Sequence, residues 1–234
     1  MKPTLSIVVP ILNEASTLPR FFSHLERCCA EVAFPIECIV VDGGSHDPSL
    51  QICQDHAISV ISARRGRGYQ LAEGARRAAG EVLLFLHVDC ALTPEHCRVA
   101  VRLCQEEDIV AGGFRLAFDE RHPILQLAER VNLVRFRVTR VFYGDHGLFL
   151  RREIYERAGG MPEQALFEDV AFSKRLRKLG RVVLASPPMV TSARRFRRGG
   201  IVRTYLKMAC LHVLYGLGVS PDRLAGIYDG RARC

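Results

Sequence analysis

The chain has 234 residues, 48% of them apolar, and a formal net charge of +8. That length suits one α/β domain over 1–234 with a sizeable core, and the apolar share excludes global disorder. The positive balance favours an anionic partner (phosphate, nucleotide, nucleic acid or anionic lipid) without choosing among them.

In chain order, TLSIVVP (4–10) predicts a short buried strand. Leu18, Phe21, Phe22, Leu25 and Cys29 follow at helical spacing, with Pro19 in the first turn. Pro35 separates that helix from a second strand, IECIVVD (36–42). Gly43-Gly44-Ser45 makes a turn, and Asp47-Pro48 can cap and start a short helix through Cys53. ISVISA (58–63) is a third strand, RRGRG (64–68) a loop, and 69–79 a helix ended by Gly80. EVLLFLHVD (81–89) is the fourth strand, after which Thr93-Pro94-Glu95 opens a helix with a cap, a proline and a favourable acid. This alternation predicts an open, largely parallel sheet with helices on both faces. Strands over 109–118 and 142–151 and helices over 168–179 and 201–215 complete the pattern.

Nine cysteines are scattered without a CxxC pair, so a zinc site is not expected and small core thiols in a reducing compartment are. Cys97 and Cys104, seven apart, suit one helix face, and Cys234 is a terminal thiol. The opening MKPTLSIVVPILNE breaks at Pro10 and at Asn13-Glu14, too soon for a secretory signal. No uncharged apolar run reaches about 18 residues, so a cytoplasmic protein is the expectation.

Ligands of open α/β sheets bind outside the carboxyl ends of the strands. Strand one is followed by Asn13-Glu14, and strand two ends at Asp42 and runs on to Asp47. Strand three enters Arg64-Arg65-Gly66-Arg67-Gly68, and strand four ends at His87 and Asp89. A carboxylate at Asp89 can hold Mg²⁺ or Mn²⁺ shared with substrate phosphates, or it can cap the helix at Thr93. RRGRG can cradle a phosphate or form a solvated basic turn. It is not a dinucleotide fingerprint, because the third glycine slot is Leu71 and the loop follows strand three.

Together these segments resemble a family 2 glycosyltransferase of the GT-A fold. The resemblance rests on IVVPILNE (7–14), VVDGGSHD (40–47), GRGYQLAEGARRA (66–78), LHVD (86–89), GDHGLFLRRE (144–153) and FEDVAFSKRLRKLG (167–180). With TSARRF (191–196), it is similar to a small bacterial subgroup labelled as arsenosugar-biosynthesis transferases. The resemblance implies a nucleotide-sugar donor, with Pro10, Asn13, Glu14, Asp42, Asp47, Arg67 and Gly68 near the nucleotide. It implies a divalent cation at Asp89, Asp169 as catalytic base, and Glu168 orienting or contacting the acceptor. The usual Asp-x-Asp reads His87-Val88-Asp89, so His87 could ligate the metal, bond a phosphate or simply pack. The Gln-x-x-Arg-Trp element of processive members is absent. Arg194 or Arg195 could meet the diphosphate in its place. Asp145 and His146 are candidate acceptor contacts, with His146 the alternative base.

In a helical first turn, Glu168 and Asp169 would also stabilise the helix without any catalytic role. Residues 194–207 carry six basic groups and no acid, and the segment around 197–220 continues apolar. It can rest on an anionic membrane or pack on the domain. Two further classes compete with transfer. A sugar nucleotidylyltransferase would want a glycine-rich, arginine-bearing loop where ILNEAST stands. A basic nucleic-acid-binding domain would meet repulsion from Asp42, Asp47 and Asp89.

Overall fold

The computed structural model describes residues 2–228, apart from the side chains of Arg195 and Arg198. Cys234 lies outside that range. The strands are β1 (Leu5–Ile11), β2 (Ile36–Asp42), β3 (Val60–Ser62), β4 (Val82–Phe85), β5 (Ile109–Phe118), β6 (Leu148–Arg151) and β7 (Arg181–Thr191). Between the early strands run α1 (Leu18–Glu31), α2 (Ser49–Asp55), α3 (Arg67–Arg77), α4 (Pro94–Cys104) and α5 (Pro123–Thr139). Later come α6 (Arg152–Arg157), α7 (Glu168–Leu179), α8 (Arg194–Gly199), α9 (Ile201–Gly216) and α10 (Pro221–Tyr228).

One seven-stranded sheet has the order β3-β2-β1-β4-β6-β5-β7. Every strand runs the same way except β6, which opposes both β4 and β5. The two-residue period of the strands sorts the core. On β1, Leu5, Ile7, Val9 and Ile11 face α1, α2 and α4, while Val8 faces α3 on the other side. Helix α1 buries Leu18, Phe21, Phe22, Leu25 and Cys28; Cys29, expected inside, is exposed. Cys97 and Cys104 do share the buried face of α4.

The expected strand over 142–151 is shorter. Gly144–His146 forms a 3-10 turn, and Gly147 takes φ 59°, so β6 starts only at Leu148. Strand β7 carries Pro187 and Pro188. It lies at the sheet edge, where a missing donor is tolerated, and the ladder skips from Ala185 to Met189 there. A third apolar cluster joins α9 and α10 to Phe167 and Val170 at the start of α7.

Gly112 stands opposite Phe149, and a Cβ there would collide with the Phe149 ring. Gly112→Ala is expected to lower stability by about 1–3 kcal/mol through overpacking. Urea unfolding would show a lower midpoint at unchanged slope.

Candidate active site

At β1 the order of the sheet reverses: β2 and β3 lie to one side, β4 to the other. A crevice opens at such a switch point. Here it is a cavity of about 170 Å³ between Ser16 and Thr17, after β1, and Val88, Asp89 and Cys90, after β4. Arg20 and His24 of α1 and Ser192 and Arg194 beyond β7 close it. Asp89 is half-buried at this wall. It does not cap α4, because Thr93 does: its hydroxyl accepts the His96 N–H, and its own N–H donates to His96 Nδ1.

Arg194 donates to Glu14 at 2.9 Å and to Thr17 at 2.8 Å. The ion pair fixes one guanidinium at the cavity, with Arg20 as a second. The side chain of Arg195 lies outside the described residues.

The other expected nucleotide residues are spent on one another. Pro10 is buried in β1 beyond Val8, where pairing with β4 has ended. Asn13, at φ 56°, accepts the His46 N–H at 2.8 Å and donates its own N–H to Ser45 Oγ at 2.8 Å. Asp42, 3% exposed, accepts from the Gly44 and Ser45 amides and the Ser45 hydroxyl. Asp47 accepts the Ala15 N–H and both donors of Ser49. Burial pushes the Asp47 carboxyl up, but these bonds outweigh it and hold it below the usual range. The result is a braced cluster at the ends of β1 and β2, and none of Pro10, Asn13, Asp42 and Asp47 lines the cavity beside Asp89.

RRGRG does not form a free phosphate cradle. Gly68 N–H donates to Gln164 O at 3.1 Å, and a Cβ on Gly68 would collide with the Pro162 and Gln164 carbonyls. Gly66, at φ 128°, abuts Ala165. The glycines let the start of α3 pack on the segment before α7, so a helix-terminal amide is taken by protein. Arg64 lies 4.3 Å over the Tyr69 ring. Arg67 reaches Tyr228 Oη at 3.4 Å and faces Glu168, Asp169 and Asp145; burial alone would lower its pKa, but the phenol and these acids raise it. Arg67 therefore serves the acidic side rather than the expected nucleotide side.

A second chamber, about 20 Å³ and roomy enough for one water, lies across the β4 exit. His87, Gly144, Glu168 and Asp169 line it with apolar neighbours such as Leu71 and Phe85. Because β4 stops at Phe85, His87 and Asp89 are not on one strand face: His87 enters this chamber and Asp89 the larger one. The expected two-residue metal pair is thus divided. Among the described residues no three His, Cys, Asp or Glu side chains are grouped to hold a metal ion. A cation beside Asp89 fits only with one carboxylate from the protein and the remaining ligands from a diphosphate and water.

Glu168 and Asp169 diverge, as neighbours on a helix must. Asp169 is partly exposed and accepts the Gly144 N–H at 2.7 Å and the Val170 N–H at 2.7 Å. Glu168 is 1% exposed, and its carboxyl has no hydrogen-bond partner among the described residues. It points inward, so the expected acceptor contact does not fit it. Burial and the Asp169 charge push Glu168 up, with Arg67 opposing. Burial also raises Asp169, offset in part by Arg67 and the two amides.

His146 is corrected too. It is 1% exposed, its Nδ1 donates to Phe114 O at 2.8 Å, and its Nε2 accepts from Asn132 at 3.1 Å. Burial, with Arg135 nearby, pushes it down to about 4. A buried neutral ring with both nitrogens engaged neither meets an acceptor nor serves as base. Asp145, next to it, is half-buried beside the acidic side. Sequence reasoning missed Ser16, Thr17, Arg20 and His24; a polar pair before α1 and a basic residue one turn on were the available signal.

A Cβ on Gly144 would stand 2.5 Å from His87 Nε2. Gly144→Ala should displace Asp169 and cost about 1–3 kcal/mol, and His87→Ala in the same chain should restore part of that in a double-mutant cycle. His146 binds a proton in the unfolded chain below about 6.5 but in the folded chain only near 4. Stability should therefore fall by about 3 kcal/mol as pH drops through that window. His146→Gln should show a shallower decline between about pH 7 and about pH 4 in urea titrations.

Residues 6–161 match the family described as glycosyl transferase family 2. An undecaprenyl-phosphate 4-deoxy-4-formamido-L-arabinose transferase of Pseudomonas aeruginosa is 30% identical over 183 residues, 71% of this chain and 54% of that one. Its Yersinia enterocolitica counterpart is 27% identical, over 62% of this chain and 47% of that one. The chain spans about half the length of the curated relatives it matches. A mannosyltransferase of Pyrobaculum calidifontis, solved with GDP-Man and Mn²⁺, superposes with TM-score 0.64 at 20% identity, covering 89% of this chain and 65% of that one. S. aureus TarS 1-349 gives 0.64 at 20%, covering 81% and 60%. With that sheet and that match, the chain has the GT-A fold and belongs to glycosyl transferase family 2.

Proposed function

We propose that this protein moves a sugar from a nucleotide-diphosphate donor to an acceptor hydroxyl, with inversion at the anomeric carbon. The observation that carries the reading is the pair of adjoining chambers at the β4 exit, one with Asp89 and two arginines, the other with Asp169. Arg20 and Arg194 neutralise the departing diphosphate, and the nucleoside extends from there toward the braced cluster of Pro10, Asn13, Glu14, Asp42 and Asp47 at the ends of β1 and β2. A divalent cation (Mn²⁺ or Mg²⁺) held by Asp89 would draw further charge from the leaving group. The mannosyltransferase neighbour, solved with GDP-Man and Mn²⁺, supports both the donor class and the metal.

Asp169 takes the acceptor proton. Its raised pKa makes it a stronger base than an ordinary aspartate, and the bonds from Gly144 and Val170 aim it. Glu168, buried and pushed toward its neutral form, keeps the pair from carrying two adjacent full charges.

The relatives carry undecaprenyl phosphate in their names, which favours a lipid-linked acceptor here and a site of action beside a membrane. No helix among the described residues is long and apolar enough to cross one. The arsenosugar-type resemblance remains a narrower proposal about the acceptor, and nucleic acid is not an expected partner.

Thermal shift with UDP- and GDP-sugars is expected to show stabilisation that Mn²⁺ deepens and Asp89→Ala abolishes. Asp169→Asn should keep that shift and lose turnover by about 100- to 10,000-fold. A phosphate nucleophile arrives already deprotonated, so normal turnover in Asp169→Asn would assign a lipid phosphate as acceptor and remove Asp169 as base.

A further inference from the structure

Helix α5 carries an apolar stripe that none of the described residues covers. Ile124, Leu127, Val131, Val134 and Val138 are 39%, 59%, 58%, 57% and 79% exposed. Their spacing of three, four, three and four residues puts them on one side of a helix. The inner side is anchored: Leu125, Asn132 and Phe136 are buried. Arg135 donates to Val141 O at 2.8 Å and lies 3.6 Å over the Tyr143 ring. The helix cannot roll to hide the stripe without breaking these contacts. Single exposed apolar residues are ordinary, but five in register mark a contact surface.

Along α5 itself the exposed charges have one sign, and the only acids near it in sequence stand before its N-terminus, at Asp119 and Glu120. Arg130 and Arg137 flank the stripe, Arg121 and Arg140 stand at its ends, and all four are exposed. The one acid of α5, Glu129, turns inward and accepts the Phe118 N–H at 2.8 Å. Methyl groups framed by guanidinium groups match the boundary of an anionic bilayer, where acyl edge and lipid phosphate lie side by side. A second copy docked stripe to stripe would instead set Arg130 and Arg137 against the same arginine-edged face, with no exposed acid of α5 to meet them.

We propose that α5 seats the protein on an anionic membrane surface with its stripe inward to the lipid. Helix α9, the segment for which sequence alone suggested membrane contact, has similar chemistry in exposed Val202, Leu206, Arg203 and Lys207. It is a second contact, and α5 is the principal one. The inner face of α5 holds the Tyr143–His146 turn beside Asp169, so seating by α5 brings the proton-accepting side of the centre to the lipid. The proposal does not depend on the transfer reaction, and a failed transfer assay would leave it standing.

Flotation of the full chain with phosphatidylcholine vesicles, with and without about one third phosphatidylglycerol, tests it. Binding is expected to rise about tenfold or more with phosphatidylglycerol and to fall with added salt. Leu127→Glu with Val134→Glu should remove that binding about tenfold, and Arg130→Glu with Arg137→Glu should do the same, with far-UV dichroism and melting unchanged. The second pair keeps the test decisive if the first fails to fold. Equal binding to both vesicle types overturns the proposal. So does loss confined to Val202→Glu with Leu206→Glu, which would assign the contact to α9. A dimer in sedimentation that Leu127→Glu with Val134→Glu dissociates, without change in flotation, would assign the stripe to a second copy and overturn it equally.

Discussion

One hydrogen bond joins the working parts of this molecule: the Gly144 N–H to Asp169 Oδ2, at 2.7 Å. It ties the start of α7 to the turn before β6, and that turn lies under His87 from the exit of β4. Three segments far apart in sequence are thereby held in one arrangement. The bond requires a glycine, because the imidazole fills the space a Cβ would take. It also requires α7 to start at an unusual angle. Phe167, just before the acids, sits at φ 64°, a left-handed conformation that costs a non-glycine residue about 1 kcal/mol or more. Packing compensates: the Phe167 ring stacks on Tyr215 at 4.7 Å and meets His212 edge-on at 4.6 Å. The C-terminal helices thus help aim a carboxylate to which they contribute no acid.

The β4 exit separates two electrostatic environments. On one side, Asp89 shares an open polar cavity with Arg20 and Arg194, which suits a departing anion accompanied by a cation. On the other, a small enclosed chamber raises two adjacent carboxyls, with Arg67 as the opposing charge. Leaving-group stabilisation and proton removal have opposite demands, since one wants positive charge and the other a basic anion. Under the proposed transfer, opposite sides of one strand end would meet both without mutual cancellation.

The first half of the fold was legible because its signals are local. The short apolar runs of the strands and the apolar spacing of α1 and α4 each depend on neighbours within a turn or two. Strand β5 and helix α7 were read at their observed bounds. What failed depended on distant partners. Gly66 and Gly68 suggested a phosphate loop, but their reason lies nearly a hundred residues on, in the 162–165 backbone. His87 and Asp89 suggested a shared metal face, yet the strand stops before them. His146 sat in a promising motif, and only Phe114 and Asn132, both remote, show that it is a core residue. Strand β7 escaped notice because two prolines argue against a strand unless it is known to be an edge.

The account predicts where a donor analogue must lie, and a crystal soaked with a nucleotide-diphosphate sugar and Mn²⁺ tests this most directly through the anomalous signal of manganese. The expected result is a manganese peak against the Asp89 carboxylate, with diphosphate density running toward Arg194 and the sugar pointing to Asp169. Diphosphate held instead by Arg64 and Arg65, with no manganese at Asp89, would contradict the division of labour across the β4 exit on which the mechanism rests.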